Sequence, residues 1–189
     1  METNNKTCTR CEETKEITEF YGSERSHCKV CERKAARVRM QRYGATFKGR
    51  SMRALQDSRR TAAKYDVEDS LTLDDVMYTF AISGGECVYC RTVTQDYHLE
   101  HIVPLSRGGS NSIENITTSC ASCNIAKRDE AVLMWFVRDN PENTEGIASV
   151  ILELSKRKGV SIPEIIEELK RQSIDYMNIR TLEDWRRSK

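Results

Sequence analysis

No stretch of the chain approaches the roughly eighteen continuous apolar residues of a membrane span, and its opening METNNKTCTR lacks the apolar segment of a secretory signal. A soluble, cytoplasmic protein is expected. Aromatic residues are scarce at 7%, and hydrophobic residues reach only 38% of 189. That excludes a large barrel or a doubly wound enzyme and leaves one modest core or a few small modules. Net charge is nearly absent too, because 30 Lys+Arg face 29 Asp+Glu for a total of +1, a balance that names no partner. An isolated cysteine is also missing: all eight fall in C-x2-C pairs, Cys8/Cys11, Cys28/Cys31, Cys87/Cys90 and Cys120/Cys123.

The balanced total hides a segregated charge. From Lys29 to Lys64 twelve basic residues stand against Glu32 and Asp57, a net of +10, whereas residues 1–28, 65–128 and 129–189 carry −2, −5 and −2. Glu32 to Tyr43 and Ser51 to Tyr65 lack proline and are rich in Ala, Arg, Met and Gln, which predicts two helices with Gly44 and Gly49 punctuating the join. Ten uncompensated charges in this span repel one another unless a polyanion is near. The expected partner is nucleic acid, contacted by Arg33, Lys34, Arg37, Arg39, Arg42, Lys48, Arg50, Arg53, Arg59 and Arg60.

The cysteine spacing is C-x2-C-x16-C-x2-C for the first four and C-x2-C-x29-C-x2-C for the second. Paired knuckles bring four thiolates into a tetrahedron around Zn(II), which accepts sulfur ligands readily. Disulfides are the poorer reading, since bridges within C-x2-C pairs would staple almost nothing. Two structural zinc ions are expected, one on Cys8, Cys11, Cys28 and Cys31, the other on Cys87, Cys90, Cys120 and Cys123. The second gap is longer than a ribbon needs, so an insertion sits between its knuckles.

Within that insertion, Tyr97 to Val103 alternates polar and apolar residues and stops at Pro104, as a strand does where an N–H is missing. Arg107-Gly-Gly-Ser-Asn reads as a flexible turn, Ile116 to Ser119 as a return strand, and Ala121 to Lys127 as a helix after the last knuckle. Adjacent strand residues face opposite sides, so Glu100 and His101 either do different jobs or one lies at an irregular strand end.

The segment HLEHIVPLSRGGSNSIENITTSCASCNIAKRD, with the four cysteines around it, resembles the HNH endonuclease family, whose ββα-metal motif lies between two zinc knuckles. The similarity runs from about Leu71 through Asp129. It implies a small zinc-stabilised α+β fold with a ββα-metal, treble-clef-like core, an N-terminal zinc ribbon and a helical C-terminal region. By the same resemblance Glu100 and Asn124 are ligands of a catalytic Mg(II) or Mn(II), His101 is the general base, and Asn115 fixes the orientation of its imidazole. The implied activity is metal-dependent hydrolysis of DNA phosphodiester bonds. The alternative is a zinc-ribbon DNA-binding protein with a decayed HNH core, and RNA or branched DNA is a further substrate reading. Glu100 stands where Asp or His is more usual in the family. His98 is read as a surface or packed histidine, and Lys127 and Arg128 as either a solvated helix end or a phosphate clamp. The N-terminal ribbon resembles accessory modules of phage-type members, which would place the protein in the host cytoplasm.

Four segments are expected: a ribbon over 1–31, a basic helical linker over 32–70, the nuclease module over 71–130 and a helical region over 131–189. Thr72 and Asp75 suggest a capping box opening a helix through Ala81, with Leu73, Val76, Met77 and Phe80 facing a core. Ala131 to Val137, Glu145 to Lys158 and a segment opened by Ser161-x-Pro163-Glu164 read as helices. Their Gly-Val-Ser turn faintly suggests helix-turn-helix DNA binding, but Glu164, Glu167 and Glu168 suit internal packing, a homodimer or a phage protein partner better. Trp185 is expected to anchor packing.

Overall fold

The computed structural model describes residues 4–139 and 141–187. It divides into two compact units, Met1–Arg50 and Ser51–Lys189. The side chain of Trp185 lies outside the described part.

In the first unit a short antiparallel hairpin joins β1 (Asn5–Thr7) to β2 (Thr14–Glu16), with Lys6 opposite Lys15. Cys8 to Cys11 forms the turn of this hairpin. The Cys8 N–H donates to Glu13 O, the Glu12 N–H donates to Cys8 O, and Glu12 takes a left-handed φ of 61°. Cys28 then stands at the N-cap position of α1 (Lys29–Ala45) and Cys31 lies in its first turn. Among the described residues of this unit, Cys8, Phe20 and Cys28 form the buried apolar cluster. Helix α1 buries a single residue, Gly44, and Arg33, Lys34, Arg37, Arg39 and Arg42 are left exposed.

The expected break at two glycines is instead a single residue. Helix α2 (Phe47–Tyr65) begins four residues before the predicted Ser51, and Thr46 alone separates it from α1. The Thr46 hydroxyl donates to Tyr43 O and accepts from the Gly49 N–H, capping α2. Gly49 belongs to the helix, where a Cβ would lie 1.9 Å from Tyr43 O; glycine is there for close approach rather than for breaking.

The second unit is built on the hairpin of β3 (Tyr97–His101) and β4 (Ile116–Cys120), which pair antiparallel with Glu100 opposite Thr117 and His101 opposite Ile116. Before it, α3 (Leu73–Ser83) opens on the expected capping box, in which Thr72 and Asp75 exchange side-chain to backbone bonds. It ends at Gly84 in the left-handed conformation. Val76 and Phe80 of this helix pack with Leu55, Leu71 and Ile116 over one face of the hairpin.

After β4 come α4 (Ala121–Lys127), α5 (Val132–Asp139), α6 (Thr144–Lys158) and α7 (Ile162–Arg187). These C-terminal helices form one core with the cysteine module: Val132, Trp135, Phe136, Val150, Leu154, Ile165 and Leu169 close over Cys87, Tyr89, Ile102 and Cys120. These apolar side chains are spent on internal packing, while Ile174, Met177 and Leu182 of α7 are exposed. Asn143 caps α6 and donates to Tyr89 O at 2.6 Å, tying the helix start to the knuckle. No helix among the described residues is long and apolar enough to cross a membrane.

Candidate active site

The eight cysteines converge as two tetrads, each with its sulfurs within 4.8 Å of one another. Separations of 4.0 Å between Cys11 and Cys28 Sγ and 3.8 Å between Cys90 and Cys120 Sγ match the spacing of about 3.8 Å that a tetrahedron with Zn–S bonds of about 2.3 Å requires. The thiol electrostatics agree. Burial opposes ionisation of Cys8, but N–H groups of Cys28, Cys11 and Arg10 and the Cys11 thiol outweigh it and bring its pKa down to about 6. Cys120 likewise falls to about 6, against burial, through Ser122 and Cys123. Burial and neighbouring thiols push Cys31 up to about 12, and Cys123 rises for the same reasons. Four crowded thiols cannot all ionise without a cation among them, so the donor set fits zinc.

The hairpin between the second pair of knuckles carries the other candidate groups. Glu100 is buried, its side chain 7% exposed, and both of its contacts run through Oε1: the Tyr89 hydroxyl donates at 3.0 Å and Lys127 Nζ stands at 2.8 Å. Lys127 is itself 1% exposed and also donates to His101 O at 3.1 Å. This corrects the reading of Lys127 as a phosphate clamp, since the ammonium is turned inward to neutralise a buried carboxylate. Arg128 remains exposed, with a left-handed φ of 53°. The Tyr89 ring that aims its hydroxyl at Glu100 is fully buried and stacks edge-on against Trp135, centroids 4.9 Å apart, and against Phe136 at 5.9 Å.

His101 ends β3, half-buried, with Nε2 2.8 Å from Asn111 Oδ1. Desolvation lowers its pKa below the ordinary imidazole value, reinforced by the Lys127 charge and opposed by Asn111 and Glu100. A neutral ring near pH 7 follows. The expected imidazole contact of Asn115 is made by Asn111 instead. Asn115 is occupied with the backbone: its Oδ1 accepts from the Val103 N–H at 2.8 Å, and its Nδ2 donates to Val103 O and Ser110 O. It thereby closes the loop over 103–110, and Gly109 lets the loop come that near, since a Cβ there would lie 2.1 Å from Val103 O.

Asn124 lies on α4, one turn before Lys127, so the two side chains share a helix face. Glu100 and Asn124 offer only hard oxygen donors, which suit Mg(II) or Mn(II), and Glu100 Oε2 stays outside both of its contacts. The donor chemistry fits such an ion, with one carboxylate already balanced by Lys127. Among the described residues Glu100 belongs to no group of three or more His, Cys, Asp or Glu. His98 is exposed, 3.6 Å from Asp96, as a surface histidine would be.

Of the basic residues, Arg33, Lys34, Arg37, Arg39 and Arg42 lie exposed along α1, and Lys48, Arg53 and Arg60 are exposed on α2, while Arg50 is partly buried. Arg33 also donates to the Tyr21 hydroxyl. Arg59 is drawn to its own unit, donating to Leu71 O at 2.8 Å and lying 3.7 Å from Asp69. Tyr89, Asn111, Asp69 and Trp135 carried no sequence signal of a role at the site, because each acts through a contact distant in the chain.

Comparison with known proteins finds a family match over the segment that holds the second tetrad. Residues 87–130 match the family model described as HNH endonuclease. No curated protein matches the chain. Among solved structures, that of the Type II-C Cas9 enzyme from Actinomyces naeslundii aligns at 20% identity with a TM-score of 0.36, covering 80% of this chain. The alignment spans only 15% of that enzyme. The α+β module between Cys87 and Glu130, with its cysteine tetrad, β-hairpin and following helix, is the part of the chain that is similar to the HNH endonuclease family.

Proposed function

We propose that this protein is a metal-dependent endonuclease that hydrolyses DNA phosphodiester bonds, with His101 as general base. The observation that carries the reading is the state of His101: an imidazole held by one nitrogen, shifted toward neutrality, and adjacent in sequence to a buried carboxylate inside the HNH match. His101 takes a proton from an attacking water. Asn115 keeps the loop closed beside it, and Tyr89 and Lys127 hold the Glu100 carboxylate in one place. Glu100 and Asn124 would hold the divalent ion, which supplies charge stabilisation at the phosphate and the leaving oxygen when bound. With one carboxylate as ligand, affinity for the ion is weak until phosphate oxygens join. The exposed cations of α1 and α2 supply sequence-independent attraction to the DNA backbone.

The Glu100–Lys127 pair favours a second reading, a DNA-binding protein without activity, because the carboxylate already has a cation. Supercoiled plasmid incubated with protein and Mg(II) or Mn(II) separates the two. The nuclease reading expects nicking or linearisation that falls about 10²- to 10⁴-fold in His101→Ala. Equal cutting by both proteins, or DNA binding with no cutting under either ion, would remove it.

A further inference from the structure

The HNH match begins at residue 87, but the contacts that orient His101 reach outside it. Asn111, whose Oδ1 meets His101 Nε2, also donates from Nδ2 to Asp69 Oδ1 at 2.8 Å. Asn111 is fully buried, and the segment from Glu68 to Leu71 clamps its backbone. Its N–H donates to Glu68 O at 2.7 Å, and its carbonyl accepts from the N–H groups of Ser70 and Leu71 at 3.1 and 2.9 Å. The side chain therefore has little freedom except rotation of its amide. Asp69 is steadied in turn by Arg59, which is anchored on Leu71 O.

This chain of contacts has a direction. An ionised carboxylate only accepts, so the nitrogen of the Asn111 amide must face Asp69 and its oxygen must face His101. The choice between the two similar amide atoms, ordinarily ambiguous, is thereby forced. An amide oxygen also only accepts, so His101 Nε2 must carry the hydrogen. In a neutral imidazole the lone pair is then on Nδ1.

We infer that Asp69, acting through Asn111, sets the tautomer of His101 and makes Nδ1 the nitrogen that accepts the proton. Asp69 and Asn111 are positioning residues for the reaction, and Asp69 is supplied by the α2–α3 connection, outside the matched module. The inference rests on the reading of His101 as general base for its catalytic meaning, but not for its test. Asp69→Asn keeps the size and the capacity for a hydrogen bond while removing the direction. Either amide can then flip, and Nε2 can be offered an N–H instead of an oxygen.

The test is ¹⁵N NMR of the imidazole nitrogens in the full-length, zinc-loaded protein near pH 8, above the ordinary imidazole pKa of about 6.5. The chain has three histidines, so the His101 signals are assigned by their loss in His101→Gln. Wild type is expected to show a protonated Nε2 and an unprotonated Nδ1, and Asp69→Asn a mixture or a reversal. In plasmid cleavage the variant should lose about 10- to 100-fold in kcat with little change in KM, less than removal of the base itself. A wild-type ring protonated on Nδ1 overturns the inference, and so does an unchanged tautomer ratio in a folded Asp69→Asn that merely melts earlier. The wild-type spectrum alone decides the tautomer should the variant not fold. A protein with the expected tautomer that cuts no DNA refutes the nuclease reading and leaves this one standing. Cleavage that depends on His101 in a protein with the opposite tautomer does the reverse.

Discussion

The two cysteine tetrads are nearly the same local structure built twice. In each, the first pair forms a knuckle whose fifth residue is left-handed, Glu12 or Arg91, both at φ 61°. In each, the third cysteine stands at the N-cap position of a helix and the fourth lies in its first turn, Cys28 and Cys31 on α1, Cys120 and Cys123 on α4. One thiol per tetrad is held low, at about 6 for both Cys8 and Cys120. The surroundings differ. Around the first tetrad the buried cluster is two cysteines and Phe20, whereas the second shares a core with Tyr89, Trp135, Phe136 and residues of three C-terminal helices. A cysteine tetrad is thus the main buried cluster of the small ribbon, and one part of a larger core where a long insertion separates its knuckles.

That contrast can be broken most sharply by removing the metal. Cys28→Ser is expected to unfold the first unit outright, since structural zinc contributes on the order of 10 kcal/mol of folding free energy and little apolar burial remains to replace it. Backbone NMR should show residues 4–45 collapsing to random-coil shifts while the signals of the second unit persist. Dispersed shifts for both units in this variant would show that the ribbon does not depend on its metal.

The converse experiment is Trp135→Ala. This 2% exposed indole fills the core of the second unit and stacks on Tyr89, so its loss should cost about 3–5 kcal/mol there. Chemical denaturation followed at residues of each unit should move only the second transition. A smaller loss, about 3 kcal/mol, is expected for Lys127→Met, which leaves Glu100 buried without its cation but still bonded to the Tyr89 hydroxyl. Added Mn(II) should restore part of that stability if Glu100 offers an oxygen to the ion; a melting temperature indifferent to Mn(II) would count against Glu100 as a ligand.

The smallest effect concerns acid. Ser161, by its hydroxyl and its backbone N–H, holds the Glu164 carboxyl below its ordinary value. A group depressed in the folded state adds stability above its unfolded pKa and loses it as pH falls through the folded one. The start of α7 should therefore weaken only as the pH drops below about 4.3, the ordinary value of the Glu carboxyl. In Glu164→Gln the acid sensitivity of this helix end, followed by hydrogen exchange, should shrink while the ribbon is unaffected.

Much of the local structure was legible in the residues. The Thr72–Asp75 capping box, the hairpin strands, α4 and the helical C-terminal segments follow from short-range rules of capping, alternation and period, and the structure has them within a few residues. What misled was proximity in sequence. Lys127, next to Arg128 on a helix end, reads as solvated, but the fold turns it onto Glu100, 27 positions away. Asn111 sits in a run of Gly, Ser and Asn that has every mark of a flexible turn. Its role depends on Asp69, 42 positions earlier, and no local rule connects residues at that distance. The C-terminal helices have readable faces, but periodicity does not say what a face will cover.

By itself the sequence determined the two tetrads, the hairpin and helix between and after the second, and the segregated positive charge, because ligand spacing, strand alternation and helix capping are local properties. Only the tertiary structure decided how the site is tuned. It buried Lys127 against Glu100, packed Trp135 on Tyr89 and ran a directed chain of hydrogen bonds from Asp69 to His101. Each of these is a contact between segments far apart in the chain, made only when the core closes and water is removed from polar groups that must then find partners.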